Sequence, residues 1–74
     1  MSRPEVLRTA VESSLLSSID YSIDATLELE FRSGAIYRYF AVSQTVFERL
    51  TAAESKSAYF NRNVRNRFRY QRLV

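Results

Sequence analysis

The sequence predicts an α+β domain in which a three-stranded antiparallel β-meander is followed by two α-helices and an extended C-terminal tail. Residues 19–23, 26–31 and 35–40 have the alternation or the strand-forming composition that is typical of antiparallel strands. From residue 43 onward the apolar residues instead recur every three or four positions, which is the period of a helix face. A chain of 74 residues is long enough for one small domain only.

The first two predicted strands are joined by a tight turn. Ile19–Ile23 alternates apolar and polar residues, and Asp24 and Ala25 follow it as the turn. Thr26–Phe31 shows the cleanest alternation of the chain, so its apolar side chains share one face. We therefore expect a hairpin whose second strand is the middle strand of the meander.

The loop before the third strand determines which face of the sheet the tyrosines occupy. A three-residue loop at 32–34 needs one left-handed residue, which the only glycine of the chain supplies, and it pairs Glu28 with Arg38. Tyr37 and Tyr39 then lie on the apolar face of the sheet. A two-residue turn would move both tyrosines to the opposite face. The sequence favours the first register and leaves the second open.

Two helices are predicted after the sheet. Ser43 is a suitable N-cap for a helix that ends near Ala53, and Ser55 is one for a helix from Lys56 to about Arg67. A stripe of apolar residues, spaced four apart, marks the buried side of the second helix: Phe60, Val64 and Phe68.

The two ends of the chain are the least regular parts of the sequence. Residues 1–12 are polar and contain the only proline, and we predict that they form an N-terminal arm preceding a domain of residues 13–74. Residues 69–74 contain apolar side chains that allow the tail to dock on the domain as an extended strand.

The composition argues against most kinds of enzyme. The chain has no Cys and no His, so it lacks the usual thiolate and imidazole ligands of metals and the commonest general base. We predict no catalytic residue, no metal site and no cofactor. No apolar run approaches the ~18 residues that a membrane span needs, and no hydrophobic signal core is present. A non-catalytic binding module in the cytoplasm, with no membrane contact, is the expectation.

Positive charge is concentrated towards the C-terminus. Residues 56–74 contain six basic residues and no acidic one, whereas the other 55 residues contain five basic and eight acidic ones. The two parts therefore carry +6 and −3, which together give the +3 of the whole chain. Such asymmetry favours an anionic partner for the C-terminal part.

The predicted second helix supplies the candidate binding residues. With the apolar stripe buried, its opposite side carries arginines, which form forked hydrogen bonds to phosphate, and a tyrosine at its edge that can stack on a base. The candidate nucleic-acid or anion-binding residues are Lys56, Tyr59, Arg62, Arg65, Asn66, Arg69 and Arg72. Tyr37 and Tyr39 are candidates for stacking on a base, or for burial in the core if the favoured register holds.

Several motifs occur together in a characteristic order. They are Asp20-Tyr21, the alternating strand that precedes Gly34, Tyr37-x-Tyr39, and Ser55-x-x-x-Tyr59-Phe60-Asn61 followed by Val64-Arg65. In this order and spacing, from about Val11 to Leu73, the chain resembles the KTSC domain family. That family is named for the C-terminal segment of some lysyl-tRNA synthetases, and it also occurs as free-standing small bacterial and phage proteins.

The resemblance suggests RNA binding, because the family is attached to a synthetase. The chain departs from the family at Ser43, where a proline is frequent, and at Ser57, where a glycine is frequent. Ser43 can still cap a helix. Ser57 disfavours the close backbone approach that a glycine would permit at that position.

Three functions remain open on the sequence alone. The leading hypothesis is RNA binding, with phosphates along the basic helix and bases stacked on tyrosines. The second is a small anionic ligand, such as a signalling nucleotide sequestered by a phage protein, in a site that would form between subunits of a homo-oligomer. The third is a protein-interaction module that binds an acidic partner or forms a homodimer through Val6, Leu7 and Leu73.

Overall fold

The computed structural model describes residues 9–11 and 13–74 of the chain. In chain order the elements are β1 (Thr9–Ala10), β2 (Leu16–Ser22), β3 (Thr26–Phe31), β4 (Ile36–Tyr39), α1 (Gln44–Ala52), α2 (Lys56–Asn63) and β5 (Tyr70–Arg72). The strands form one antiparallel sheet in the order β1-β2-β3-β4-β5, and both helices lie between β4 and β5 in the chain.

The α+β class is confirmed, but the predicted number of three strands is wrong. The additional strand β5 is formed by the tail, which pairs with β4 in antiparallel register. The additional strand β1 falls within the predicted N-terminal arm, and it pairs with β2. The rest of that arm, residues 1–8 and 12, lies outside the described residues.

The favoured hairpin register is confirmed. Tyr37 pairs with Leu29, and Arg38 pairs with Glu28. Gly34 adopts a φ of +97°, and the Phe31 amide donates to the Ala35 carbonyl over 2.8 Å, as a three-residue loop requires. The tyrosines of β4 therefore share the face of the sheet that carries the leucines of β3.

The helices cover this apolar face and complete the core. The sheet contributes Leu16, Ile19, Leu27, Leu29 and Tyr39, all of which are buried. The remaining core side chains come from the loop before α1, from the two helices and from the end of α2: Val42, Leu50, Phe60 and Val64. The opposite face of the sheet carries polar side chains, including the Arg38–Glu28 ion pair at 3.1 Å.

Both predicted N-caps are confirmed, but the second helix is shorter than predicted. The Ser43 hydroxyl accepts from the Val46 amide, and the Ser55 hydroxyl accepts from the Ala58 amide. The helix α2 ends at Asn63 instead of continuing to about Arg67. No helix among the described residues is long and apolar enough to cross a membrane.

The early end of α2 has a clear backbone cause. The Val64 and Arg65 amides both donate to the Phe60 carbonyl, over 3.0 and 2.9 Å, which closes the last turn. Asn66 then adopts a left-handed φ of 62°, a conformation that asparagine tolerates better than most residues. The chain consequently leaves the helix axis and returns to the edge of the sheet as β5.

Candidate ligand-binding groove

A groove of about 540 Å³ lies between the β3–β5 part of the sheet and the C-terminal end of α2. The residues that line it include aromatic side chains, two arginines and two asparagines. We call it the tyrosine groove and define it by Phe31, Tyr37, Tyr39, Phe60, Asn61, Arg65, Asn66, Tyr70 and Arg72, with Leu15, Ser33 and Ala35 at its border. Its volume is in the range of sites for small molecules or single nucleotides.

The sheet side of the groove is formed by tyrosines from two neighbouring strands. Tyr39 pairs with Tyr70, and Tyr37 pairs with Arg72, so these four side chains emerge on the helix-facing side of the sheet. The Tyr70 ring centroid lies 5.6 Å from that of Tyr37 and 5.8 Å from that of Tyr39. The Phe31 ring contacts Tyr37 edge-on, with a centroid distance of 5.5 Å.

The helix side of the groove combines one aromatic ring with polar side chains. Phe60 packs edge-on against Phe31 and Tyr39, with centroid distances of 5.4 and 6.0 Å. Asn61 follows on the exposed side of α2, and its Oδ1 accepts a hydrogen bond from Arg65 Nη1 over 3.3 Å. This bond holds the Arg65 guanidinium at the groove.

The second arginine of the groove lies on the sheet. The Arg72 guanidinium carbon is 5.7 Å from the centroid of the Tyr37 ring, which is a cation–π distance. Its Nε donates to the Val74 carbonyl over 2.9 Å. Arg65 and Arg72 therefore both stand beside tyrosine rings, and no carboxylate is among the residues that line the groove.

Burial raises the pKa of the Tyr39 phenol. Desolvation is the main cause that raises the pKa of Tyr39 to about 12, and the neighbouring Tyr37 and Tyr70 add to the effect. The positive charge of Arg65 acts in the opposite direction. The shift matters only in alkaline solution, because a tyrosine with its ordinary pKa near 10 is already protonated at neutral pH.

The predicted basic helix face does not form, because α2 ends before most of its members. Arg62 lies in the last turn of α2, where it is exposed outside the groove lining. Arg69 is exposed in the segment before β5, where its carbonyl accepts from the Phe40 amide. Arg65 and Asn66 belong to the turn that follows α2.

Two further candidate residues also lie outside the groove lining. The Lys56 Nζ donates to the Ala53 carbonyl over 3.1 Å, at the junction of the two helices. Tyr59 is half-buried and packs against the core. Of the predicted residues, the structure brings together Arg65, Asn66, Arg72, Tyr37 and Tyr39.

The sequence reasoning missed Phe31, Phe60, Asn61 and Tyr70 as groove residues. Phe31 and Phe60 were assigned to the apolar face and the buried stripe, and the structure shows that a ring can belong to both the core and a groove. Asn61 is part of the Tyr-Phe-Asn motif on which the resemblance depends. Tyr70 is separated by two positions from Arg72, which is the spacing of side chains on one face of a strand.

Among residues 9–11 and 13–74, no group of three or more acidic, His or Cys side chains is placed to hold a metal ion.

The chain is 41% identical over 63 residues to a lysine–tRNA ligase from Trichormus variabilis, a match that covers 84% of this chain but only 11% of the ligase. It is also 41% identical over 68 residues to an uncharacterized protein from Stutzerimonas stutzeri, covering 89% of this chain and 96% of that protein.

A solved structure shows the same fold. The crystal structure of a KTSC domain protein from Yersinia pestis matches with a TM-score of 0.90 and 27% identity, covering 93% of this chain and 99% of that chain. The family model of the KTSC domain matches residues 12–68, which include the three strands β2, β3 and β4 and both helices. The chain therefore belongs to the KTSC domain family.

Proposed function

We propose that this domain is a non-catalytic module of the cytoplasm that binds single-stranded RNA, with one unpaired base in the tyrosine groove. The observation that carries the proposal is the position of Arg65 and Arg72 beside a cluster of tyrosines. Tyrosine rings stack on bases of any sequence, and arginine guanidinium groups bind the adjoining phosphates.

The electrostatics of the groove favour an anionic ligand. Its lining contains two arginines and no acidic residue. The segment from residue 56 to residue 74, which supplies both arginines, has six basic residues and no acidic one. A phosphate that approaches this end of the molecule is therefore attracted before contact and held at the groove.

The relatives support RNA as the ligand to test first. Segments similar to this chain occur in proteins named lysine–tRNA ligase, and each such segment is a small part of the ligase. Because the name of these relatives includes tRNA, a single-stranded RNA that represents an unpaired region of tRNA is a suitable probe. The absence of His, Cys and carboxylates from the groove lining supports binding without catalysis.

The test compares two double variants that carry the same net charge. Arg65→Gln/Arg72→Gln removes both arginines of the groove, whereas Arg49→Gln/Arg62→Gln removes two exposed arginines outside it. Each variant lowers the formal charge of the chain by two, from +3 to +1. Fluorescence anisotropy with a labelled single-stranded RNA, at two salt concentrations, measures the affinity of each.

We expect the groove variant to lose about tenfold or more in affinity, because charge-assisted hydrogen bonds to phosphate are lost. The control variant should lose much less, and binding by the wild type should weaken as salt rises, since each neutralised phosphate releases counterions. Equal losses in the two variants would place the RNA elsewhere on the basic surface. Absence of binding by the wild type at low salt would refute the proposal.

The size of the groove favours a second candidate, a free nucleotide. About 540 Å³ accommodates a single base with its sugar and phosphate, without a longer strand. A mononucleotide or cyclic dinucleotide that occupies the groove would raise the melting temperature by mass action. Competition of such a nucleotide against labelled RNA distinguishes the two cases: a sequestering protein prefers the free nucleotide, whereas an RNA-binding module prefers the strand.

A further inference from the structure

The strand β5 is the last strand of the sheet, and one of its two sides has no neighbouring strand among the described residues. The Arg69 carbonyl and the Leu73 amide bond towards β4, so Gln71, midway between them, bonds in the same direction. The residues in between alternate with these in an antiparallel ladder. The amide and carbonyl groups of Tyr70 and Arg72 are therefore directed away from β4, where they offer two donors and two acceptors to an additional strand.

Exposed apolar side chains are concentrated at the same edge. In the part of the chain that the structure describes, four large apolar side chains are exposed: Ile23, Tyr70, Leu73 and Val74. Three of these four belong to β5 or follow it directly, and Tyr70 is 55% exposed. All three residues of β5 are exposed. An open strand edge that is flanked by exposed apolar side chains is typical of sites where a partner adds a strand.

The charges of this edge favour an acidic strand over a second copy of the chain. Successive side chains of a strand point to opposite faces, so Arg72 lies on the same face as Tyr70, and Arg69 lies on the other. A second copy would place residues 56–74, with six basic and no acidic residues, against the same segment, and like charges repel. An acidic strand would instead meet one arginine on each face.

We propose that an extended acidic segment of a protein partner binds the open edge of β5 as an additional antiparallel strand. Its main chain bonds to the amides and carbonyls of Tyr70 and Arg72. Its carboxylates lie opposite Arg69 and Arg72, so they are three positions apart in the partner, as the arginines are in this chain. This surface uses the main chain of β5, and the inference does not depend on RNA binding.

The probe is a labelled peptide with capped ends and the sequence Thr-Glu-Thr-Val-Glu-Thr. When its glutamates lie opposite Arg72 and Arg69 in antiparallel register, its valine lies opposite Tyr70 and its middle threonine lies opposite Gln71. The valine amide then points towards β5, whereas the middle threonine amide points away from it. Two matched peptides carry one N-methyl group each, on the valine nitrogen or on the middle threonine nitrogen.

Fluorescence anisotropy measures the affinity of the wild type for each peptide. Methylation of the valine should lower the affinity about tenfold or more, because it removes a main-chain hydrogen bond and places a methyl group against β5. Methylation of the threonine should lower it less than about threefold, since that amide faces solvent. Equal losses from the two methylations, or no binding of the unmodified peptide at low salt, would refute strand addition.

A pair of charge-matched variants separates this edge from the tyrosine groove. Neither Arg69 nor Arg62 lines the groove, and both are exposed. Arg69→Glu should weaken binding of the peptide about fivefold or more, because it replaces an opposite charge by a like charge directly across the strands. Arg62→Glu should weaken it less than about twofold. Similar losses of peptide affinity in the two variants would contradict the proposed position of the acidic strand.

Sedimentation equilibrium without the peptide tests whether a second copy occupies the edge instead. We expect a monomer; a dimer that the peptide cannot disrupt would assign the edge to self-association and overturn the inference. The inference and the proposed function fail separately. If the peptide binds as described but no RNA binds at low salt, only the proposed function is refuted, and if RNA binds in the groove but the peptide does not bind, only strand addition is refuted.

Discussion

Tyr39 belongs both to the core and to the tyrosine groove. Its ring contacts Phe60 in the core, and the same ring stacks at 6.3 Å from Tyr37, which is half-buried. The three-residue loop that the single glycine allows pairs Tyr39 with Leu27, so the sequence favoured the apolar face for both tyrosines, and the structure confirms this register. Alternation along a strand defines a face, however, and not how far the helices cover it. The groove was therefore not predictable from this pattern.

The raised pKa of Tyr39 makes the stability of the domain sensitive to alkaline pH. An unfolded tyrosine ionises near pH 10, whereas Tyr39 in the folded protein has a pKa of about 12 because of burial and the neighbouring tyrosines. The contribution of this group is therefore complete below pH 10 and is lost as the pH rises from 10 through 12.

We expect the wild type to lose more stability between pH 9 and pH 11.5 than Tyr39→Phe does, since the variant has no phenol at this position. Urea unfolding at several pH values measures this difference. An identical pH dependence of the two proteins would contradict the assigned pKa.

The end of α2 and the position of β5 together determine the shape of the groove. The cap residues Ser43 and Ser55 were predictable, because a serine before a helical apolar pattern is a local signal. The end at Asn63 was not, since arginine and asparagine at positions 65–67 are compatible with a longer helix. The pairing of the tail with β4 ends the helix early. The apolar residues of the tail indicated an extended segment that could dock, but its partner strand has no local signal in the sequence.

The pairing of β5 with β4 allows a sharp test of this element. The Phe40 amide donates to the Arg69 carbonyl, and the Leu73 amide donates to the Ile36 carbonyl. Because hydrogen-bonded pairs alternate in an antiparallel ladder, Gln71 and Arg38 form a hydrogen-bonded pair between these two. A proline at Gln71 removes the donor that β4 needs.

We expect Gln71→Pro to release β5 and, with it, the Tyr70 and Arg72 side chains of the groove. RNA affinity should fall about tenfold or more, as for loss of an arginine and a stacking ring. Gln71→Thr, which keeps the amide and favours a strand, should bind as the wild type does. Fluorescence anisotropy checks both; wild-type affinity of the proline variant would show that β5 is not part of the site.

At the scale of the molecule, the composition indicated a binding module. The charge asymmetry indicated that its basic C-terminal third contacts an anionic partner. The structure distributes that charge differently from the expected helix face. Arg65 and Arg72 converge on the groove, whereas Lys56, Arg62 and Arg69 lie outside its lining. The net charge can be counted from the sequence. Which surface carries the arginines, however, depends on where α2 ends and on where β5 pairs with the sheet.

The small core also makes overall stability depend on single side chains. A domain of 74 residues has a free energy of unfolding of about 4–11 kcal/mol. Leu29 is fully buried in the middle strand, so Leu29→Ala should cost about 2–5 kcal/mol, a large part of this total. Ile23, which is 92% exposed, provides the matched control, and Ile23→Ala should change stability by less than about 0.5 kcal/mol.

Urea unfolding of the two alanine variants measures both free energies. A cost at Ile23 equal to that at Leu29 would mean that the turn after β2 is covered in solution by another surface, of this chain or of a second copy.

The edge position of β5 has a consequence for the motions of the folded protein. Among the described residues β5 has only β4 as a neighbour, and both helices separate the two strands in the chain. The segment between β4 and β5 is long, so bringing its ends together costs conformational entropy. The hydrogen bonds of a three-residue strand offset this cost only in part. Local opening should therefore begin here, well before the meander separates. A ligand that bridges Tyr70 and α2 would slow amide hydrogen exchange in β5 before it slows exchange elsewhere. The exchange rates of the β5 amides therefore report whether the groove is occupied.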